Sequence, residues 1–424
     1  MAEIKPFKAL RFTKKAGLPE QICCPPYDII SEQQRENYIK QNGNNIIRLE
    51  LPGTDEADYK RAGDTLKGWL EDGIVAVDDK PALYIYSESF TVKGKAYSFK
   101  GFVCRVKLEE FSAGVVLPHE ETLSKAKIDR FNLMCATGCN FSQVYSLYRD
   151  EKCETGSLLN ELSAAAPDVT FTDDDNVTHS LWVVTDEAVI DTITKQFAER
   201  KLYIADGHHR YETALNYRRH MRMSGYNLPD SNYVMMFLAD MADPGLVVFP
   251  THRIVRDLEN FDEDALLCAA KENFKVECCQ KAEIEDLLAA AYERNEKAFG
   301  FIGHKNTCIL TLKDIAAADA RNPQKSEALR RLDVTVLHSL LLEDVLKIDR
   351  ENMANQINLK YSRDFDEAAD SINSGANCAF ILNPTRVSEI SDVAAAGEKM
   401  PQKSTYFYPK LITGLVMNQF YDMF

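Results

Sequence analysis

Residues 201–221 read KLYIADGHHRYETALNYRRHM, an apolar strand that passes through Asp206-Gly207 directly into an amphipathic helix with Tyr211, Leu215 and Met221 near one face. Anion sites are built this way. The first N–H groups of a helix have no partner within it and carry the positive end of its dipole, and glycine lets a ligand approach the backbone. Gly207, His208, His209 and Arg210 form the candidate phosphate cradle, and Asp206 at the strand end is placed for Mg2+ or a substrate hydroxyl. Two other readings of the same residues stay open. One is an ordinary Asp-Gly turn with surface histidines. The other is a metal hydrolase built on Asp206, His208 and His209, although adjacent side chains diverge and a third ligand would have to come from a distance.

Upstream, a strand at 181–185 and a helix at 187–200 complete an alternating α/β unit with strand 201–205 and the helix from about 209 to 224. Strands follow at 233–239 and 246–250, joined through the turn Asp243-Pro244-Gly245. Nearer the N-terminus, Ser31 caps a helix over 32–41 with Asn42-Gly43 as a glycine stop, and a second helix over 56–72 ends at Gly73. Alternation over 82–90 and 97–108 around Lys93-Gly94-Lys95 predicts a hairpin. Residues 153–175 read as a peripheral connection. Helices near 261–271, 281–294 and 325–347, with strands at 298–303 and 307–313, predict a second α/β unit. The tail adds a strand at 378–382, a helix at 386–396 and an aromatic strand at 405–408. The expected fold class is therefore mixed α/β, with one domain over 1–255 and another over 256–424 whose tail near 400–410 contributes to the site.

A chain of 424 residues with 45% apolar content can bury a large core, which excludes intrinsic disorder. Its net charge of −15 repels nucleic-acid phosphates and anionic headgroups over most of the surface, so neither nucleic acid nor membrane is an expected partner. No run reaches the roughly 20 apolar residues that span a bilayer, and MAEIKPFKALRF lacks the apolar stretch of a signal peptide. A cytoplasmic location is expected. Eleven cysteines, including the adjacent pairs Cys23-Cys24 and Cys278-Cys279, fit neither a disulfide framework nor a zinc ribbon and read as reduced thiols.

Two further segments carry chemistry. His119-Glu120-Glu121-Thr122 precedes Lys125, Lys127, Asp129 and Arg130, and Lys127 and Arg130 share a helical face able to clamp phosphate or carboxylate. A solvated helix with Glu121 paired to Lys125 explains the same pattern. Residues 400–410, MPQKSTYFYPK, crowd two lysines, two hydroxyls and three aromatics together. That stretch also reads as an aromatic strand burying the tail.

In order along the chain, four landmarks resemble the family catalogued as domain of unknown function 1015, some of whose relatives look like free serine kinases. They are Pro6-Phe7 with Pro25-Pro26-Tyr27-Asp28; His119-Glu120 through Asp129-Arg130; Tyr203 through Tyr211; and Pro401-Gln402-Lys403-Ser404-Thr405 with Tyr408-Pro409-Lys410. The Asp-Gly-His-His-Arg segment itself resembles the phosphate-binding strand–loop–helix of the ParB/sulfiredoxin superfamily. That resemblance implies a phosphate-binding core of this kind with an additional C-terminal α/β unit. Sulfiredoxins carry a cysteine where this chain has His208, so sulfinic-acid reduction is disfavoured. Partition proteins bind DNA, which the acidic charge disfavours.

What the resemblance implies is a small-molecule kinase using ATP or ADP with Mg2+ to convert L-serine to O-phospho-L-serine. In that reading Asp28 is the general base with Glu120 as its alternative, and Asp206 holds metal or acceptor. Lys403, Ser404 and Thr405 add phosphate ligands, while His119, Lys127 and Arg130 bind substrate. The rival classes are a nucleotide-responsive regulator that lacks an amino-acid acceptor and a hydrolase using the histidine pair. Oligomeric state is not legible.

Overall fold

The computed structural model describes residues 1–120, 124–226 and 228–420, with only the backbone of Ser124 and Lys125. Thr122 and the expected Glu121–Lys125 pairing lie outside the described residues or side chains. The chain divides into two compact units, Met1–Pro118 with Thr122–Val247 and Pro409–Phe424, and His119–Glu121 with Val248–Tyr408.

In the first unit the elements that position the site are, in chain order, β1 (Ile4–Lys5), α1 (Glu32–Gln41), α2 (Glu56–Glu71), β2 (Leu83–Val92), β3 (Lys95–Lys107), β4 (Val116–Leu117), α3 (Ser124–Thr137), β5 (Val144–Tyr148), α4 (Glu154–Leu162), β6 (Val169–Thr172), β7 (Thr178–Val184), α5 (Glu187–Phe197), β8 (Leu202–Asp206), α6 (His208–Met223) and β9 (Tyr233–Asp240). Among the described residues these strands form a nine-stranded sheet ordered β4-β8-β5-β9-β3-β2-β7-β6, with β1 paired to β3. Only β8 with β4 and β9 with β5 run parallel; the other pairs are antiparallel. The alternating order β7-α5-β8-α6 therefore does not make a parallel βαβ layer, because β7 pairs with β2 while β8 pairs with β5 and β4. The class is mixed α and β of the α+β kind.

Local chemistry explains most boundaries. Ser31 and Gln34 form a reciprocal capping box at α1. That helix ends on Asn42 in an extended conformation, so the expected left-handed glycine stop at Gly43 is absent. Gly73, with φ +67°, does end α2. Lys93 and Gly94 both take positive φ, as a two-residue hairpin turn with right-handed strand twist requires. Residues 153–175, read above as a connection, contain α4 and β6. The apolar face of the sheet, including Phe102, Ile204 and Leu238, packs against Phe197 of α5 and Tyr211 of α6.

The second unit adds β10 (His252–Val255), α7 (Glu263–Ala270), β11 (Phe274–Cys278), α8 (Ile284–Glu293), β12 (Ala298–Ile302), β13 (Thr307–Leu312), α9 (Asp333–Leu337), β14 (Leu359–Ser362), β15 (Cys378–Ile381) and α10 (Val387–Ala395). Its six-stranded sheet, ordered β11-β13-β12-β15-β10-β14, is antiparallel throughout. Alternate residues of β12 serve the two faces: Phe299 and Phe301 join one core with Leu337 and Leu341, and Ala298 and Ile302 join the other with Leu288. The single helix expected over 325–347 is instead broken. A short helix Glu327–Arg330 stops, Leu332 takes an extended conformation, and α9 runs on into a π-helical turn at His338–Glu343.

Candidate functional site

The first unit gathers buried charge around the junction of β8 and α6. Pairing between β8 and β5 shifts register between Ile204 and Asp206, a bulge that changes the direction of the strand as it reaches Asp206. Gly207 follows with φ +87° and caps α6. A Cβ there would lie 2.7 Å from Arg210 Nε, so the left-handed backbone favours glycine and any larger residue would push the guanidinium aside.

Asp206 accepts from Arg210 Nη2 at 3.2 Å and pairs through the same oxygen, Oδ2, with Lys410 Nζ at 3.3 Å. Burial alone would raise the Asp206 pKa, yet Lys410 and Arg210, with His208 beyond them, hold the carboxyl well below its usual range. Arg210 also donates from Nη1 to the Gln143 carbonyl. His208 is buried. His209 is pushed below the usual imidazole range by burial, against Glu212 and Asp28 and together with Lys127 and Arg210. It is a neutral ring at neutral pH.

Asp28 stands on the short 3-10 turn Tyr27–Ile29, directly after Pro25-Pro26. Its carboxylate acts electrostatically on both His209 and Arg210, so the structure brings it to the α6 end. The Arg130 guanidinium covers the Tyr27 ring at 4.1 Å, donates to Asp129 at 2.8 Å and to the Glu50 carbonyl at 2.7 Å, and pairs with the Glu50 carboxylate at 3.6 Å. Glu50 is 2% exposed and accepts from Ser142 Oγ at 2.7 Å. Burial raises its pKa against Arg130, Ser142 and Arg210. A cavity of about 30 Å³, mostly apolar in its lining, is bounded in part by Glu50, Arg130, Ser142 and Arg210, which is room for a water molecule. Lys127 pairs with Glu212 at 2.7 Å rather than with the partners of Arg130.

The remaining candidates belong to the second unit. His119 Nε2 meets Thr405 Oγ1 at 3.1 Å, and its carbonyl accepts from Met400 N at 2.7 Å. Glu120 accepts from the Lys403 backbone N–H at 2.8 Å. Lys403 has φ +58°, and its carbonyl accepts from Arg253 at 3.2 Å. Ser404 donates to the Pro401 carbonyl at 2.5 Å, while Thr385 donates to the Ser404 carbonyl at 2.8 Å. Here His119 and Glu120 hold the 400–405 turn in shape.

Glu50, Tyr27, Gln143 and Lys410 complete the first cluster without having been candidates. Lys410 stood inside a landmark, and only its charge marked it. Among the described residues no group of three His, Cys, Asp or Glu side chains could hold a metal ion. Asp206 offers one carboxylate, already paired through Oδ2. A cation there would share that carboxylate with Arg210 and Lys410.

The fold and this cluster define an α+β protein with a buried, cation-rich helix start. The chain belongs to the DUF1015 family, described as a protein of unknown function, whose profile matches residues 4–335. No curated protein matches it. It is similar to a variant of a free serine kinase in complex with ADP, at 12% identity over 76% of this chain and 94% of that one, with a TM-score of 0.38. It is also similar to a conserved hypothetical protein from Pyrococcus furiosus, at 16% identity over 76% and 97%, TM-score 0.35. A third likeness is to SbnI with a C-terminal truncation from Staphylococcus aureus, at 9% identity over 74% and 86%, TM-score 0.36. Among the described residues no helix is long and apolar enough to cross a membrane.

Proposed function

We propose that this chain is a small-molecule kinase that passes a phosphoryl group from ATP or ADP to the hydroxyl of free L-serine, giving O-phospho-L-serine. The observation that carries the reading is the α6 start, where left-handed Gly207 leads into His208 and His209 and the partly buried cations of Arg210 and Lys410 hold one carboxylate, Asp206, strongly acidic. Phosphoryl transfer asks the protein mainly to position groups and neutralise charge, and this cluster supplies both. The strand–loop–helix is read as a phosphate cradle of the ParB/sulfiredoxin kind.

In this reading the backbone N–H groups of His208 and His209 hold the transferred phosphate, with the Arg210 and Lys410 cations as counter-charge. A nucleotide would bring Mg2+ with its phosphates, and the metal would neutralise charge there with Asp206 as its protein ligand. The serine hydroxyl oxygen bonds to the terminal phosphorus as the bond from phosphorus to the nucleotide's bridging oxygen breaks. The hydroxyl proton goes to Asp28, which the rigid Pro25-Pro26 approach holds near Arg210. Arg130, stacked on Tyr27 beside Asp28, is the carboxylate partner for the amino acid.

Incubation of the purified chain with ATP, ADP or CTP and Mg2+, with and without L-serine, tests this by mass spectrometry. Phosphoserine formed in the presence of serine and one nucleotide is the expected product. Nucleotide loss indifferent to serine, with no phosphoserine, would instead make the protein a nucleotide-hydrolysing regulator.

A further inference from the structure

A cavity of about 170 Å³ lies wholly within the second unit. Leu329, Met353 and Met400 give it an apolar wall. Its charged lining is Lys325, Arg350 and Lys399 against one carboxylate, Glu343. In a chain of charge −15, a hollow with this local excess of positive charge selects anions. Arg350 pairs with Glu343 at 3.7 Å, which leaves that carboxylate shared. Lys325 is partly buried, and burial with Arg350 beside it lowers its pKa against Glu343 and Glu398, the mark of an ammonium short of negative charge.

Behind the cavity wall stands Arg253, 0% exposed. Among the described residues its hydrogen bonds go to neutral acceptors only: the Thr251 carbonyl, the Lys403 carbonyl at 3.2 Å and His338 Nε2 at 3.3 Å. Burial pushes its pKa down to about 10, against the nearby Tyr361, as expected for a buried cation that no carboxylate compensates. Accepting from Arg253 at Nε2 fixes the proton of neutral His338 on Nδ1, and His338 and Tyr361 both line the cavity. Thr335, also in the lining, has its Oγ1 buried with no hydrogen-bond partner among the described residues. Thr335 and His338 sit where α9 opens into the π-helical turn, a local widening often found at binding sites.

We propose that this cavity binds a small organic anion, a carboxylate or phosphate on a short aliphatic body, with Lys325 as counter-charge and His338 as a hydrogen-bonding group. The anion would offset the buried charge of Arg253 behind the wall, while the body packs on Leu329 and Met353. This site is independent of the kinase reading.

Calorimetric titration of the full chain with isobutyrate, its neutral isostere isobutyramide, and inorganic phosphate tests the proposal. The wild type is expected to bind isobutyrate or phosphate at millimolar concentrations and to ignore the amide. Lys325→Met, a change at a partly exposed position, is expected to weaken that binding by about tenfold or more. Tighter isobutyrate binding identifies a carboxylate ligand, and tighter phosphate binding a phosphate ester. Because phosphate also probes the α6 start, only phosphate binding that Lys325→Met loses and Arg210→Ala keeps counts in favour. The proposal is overturned if neither anion binds the wild type, if isobutyramide binds as well as isobutyrate, or if Lys325→Met binds like the wild type.

Discussion

Lys410 Nζ lies 3.3 Å from Asp206 Oδ2, tying the C-terminal segment of the first unit to the end of the strand that starts its α6 helix. Both groups are largely buried, with side-chain exposures of 10% and 22%, and Arg210 shares the same oxygen. Removing the ammonium leaves Asp206 with one cation instead of two.

Lys410→Met should therefore lower unfolding free energy by about 2 kcal/mol, less than the cost of stranding a buried ion entirely because Arg210 remains. Urea denaturation at neutral pH measures this. The depressed Asp206 pKa adds a sign. Its stabilisation is present above the ordinary carboxylate range and is lost as pH falls through the lower folded value. The gap between wild type and Lys410→Met should narrow in strong acid, and a gap constant with pH would show that the pair does not titrate this way.

Gly207→Ala confronts two obstacles, a left-handed φ and a Cβ 2.7 Å from Arg210 Nε. The backbone term costs about 1 kcal/mol, and the guanidinium must swing off Asp206 or Gln143. Stability should fall by about that amount while nucleotide affinity, read by calorimetry, falls by about tenfold, since the cradle loses its placed cation. A variant with wild-type affinity would detach Arg210 from phosphate binding.

How much of this was legible follows from where each signal sits. The α6 start was readable because strand, turn glycine and helix are contiguous, and the Ser31 cap and Lys93-Gly94 turn were local for the same reason. Glu50 was not, since its partners Arg130 and Ser142 come from distant segments and its flanking residues look like any buried turn. Strand β5 is buried along its whole length, so it has no alternation to betray it. The helix over 325–347 reads continuously, yet Asp319 ties down Arg330 and Arg331 at 2.5 and 2.6 Å where the chain breaks, a tertiary cause with no local signature.

His209 gives a second pH effect of opposite origin. Burial depresses its pKa, so the unfolded chain takes up the proton first, and His209 costs stability as pH drops below about 6.5. His209→Gln should show a flatter decline of unfolding free energy between roughly pH 6.5 and 5 than the wild type. An identical slope in both proteins would mean that the fold does not depress the pKa of this ring.

Asp28→Asn separates binding from chemistry. The substitution keeps shape and hydrogen-bonding capacity on the Tyr27–Ile29 turn but removes the proton acceptor. Nucleotide affinity should stay near wild type, because the cradle atoms belong to α6 and Lys410, while serine-dependent turnover should fall by about 10²–10⁴-fold. The control is Glu120→Gln, whose carboxylate oxygen accepts the Lys403 N–H at 2.8 Å and can be replaced there by an amide oxygen. That variant should keep most activity. If Asp28→Asn turns over normally and Glu120→Gln does not, the base is Glu120, and its bond to Lys403 serves to aim it.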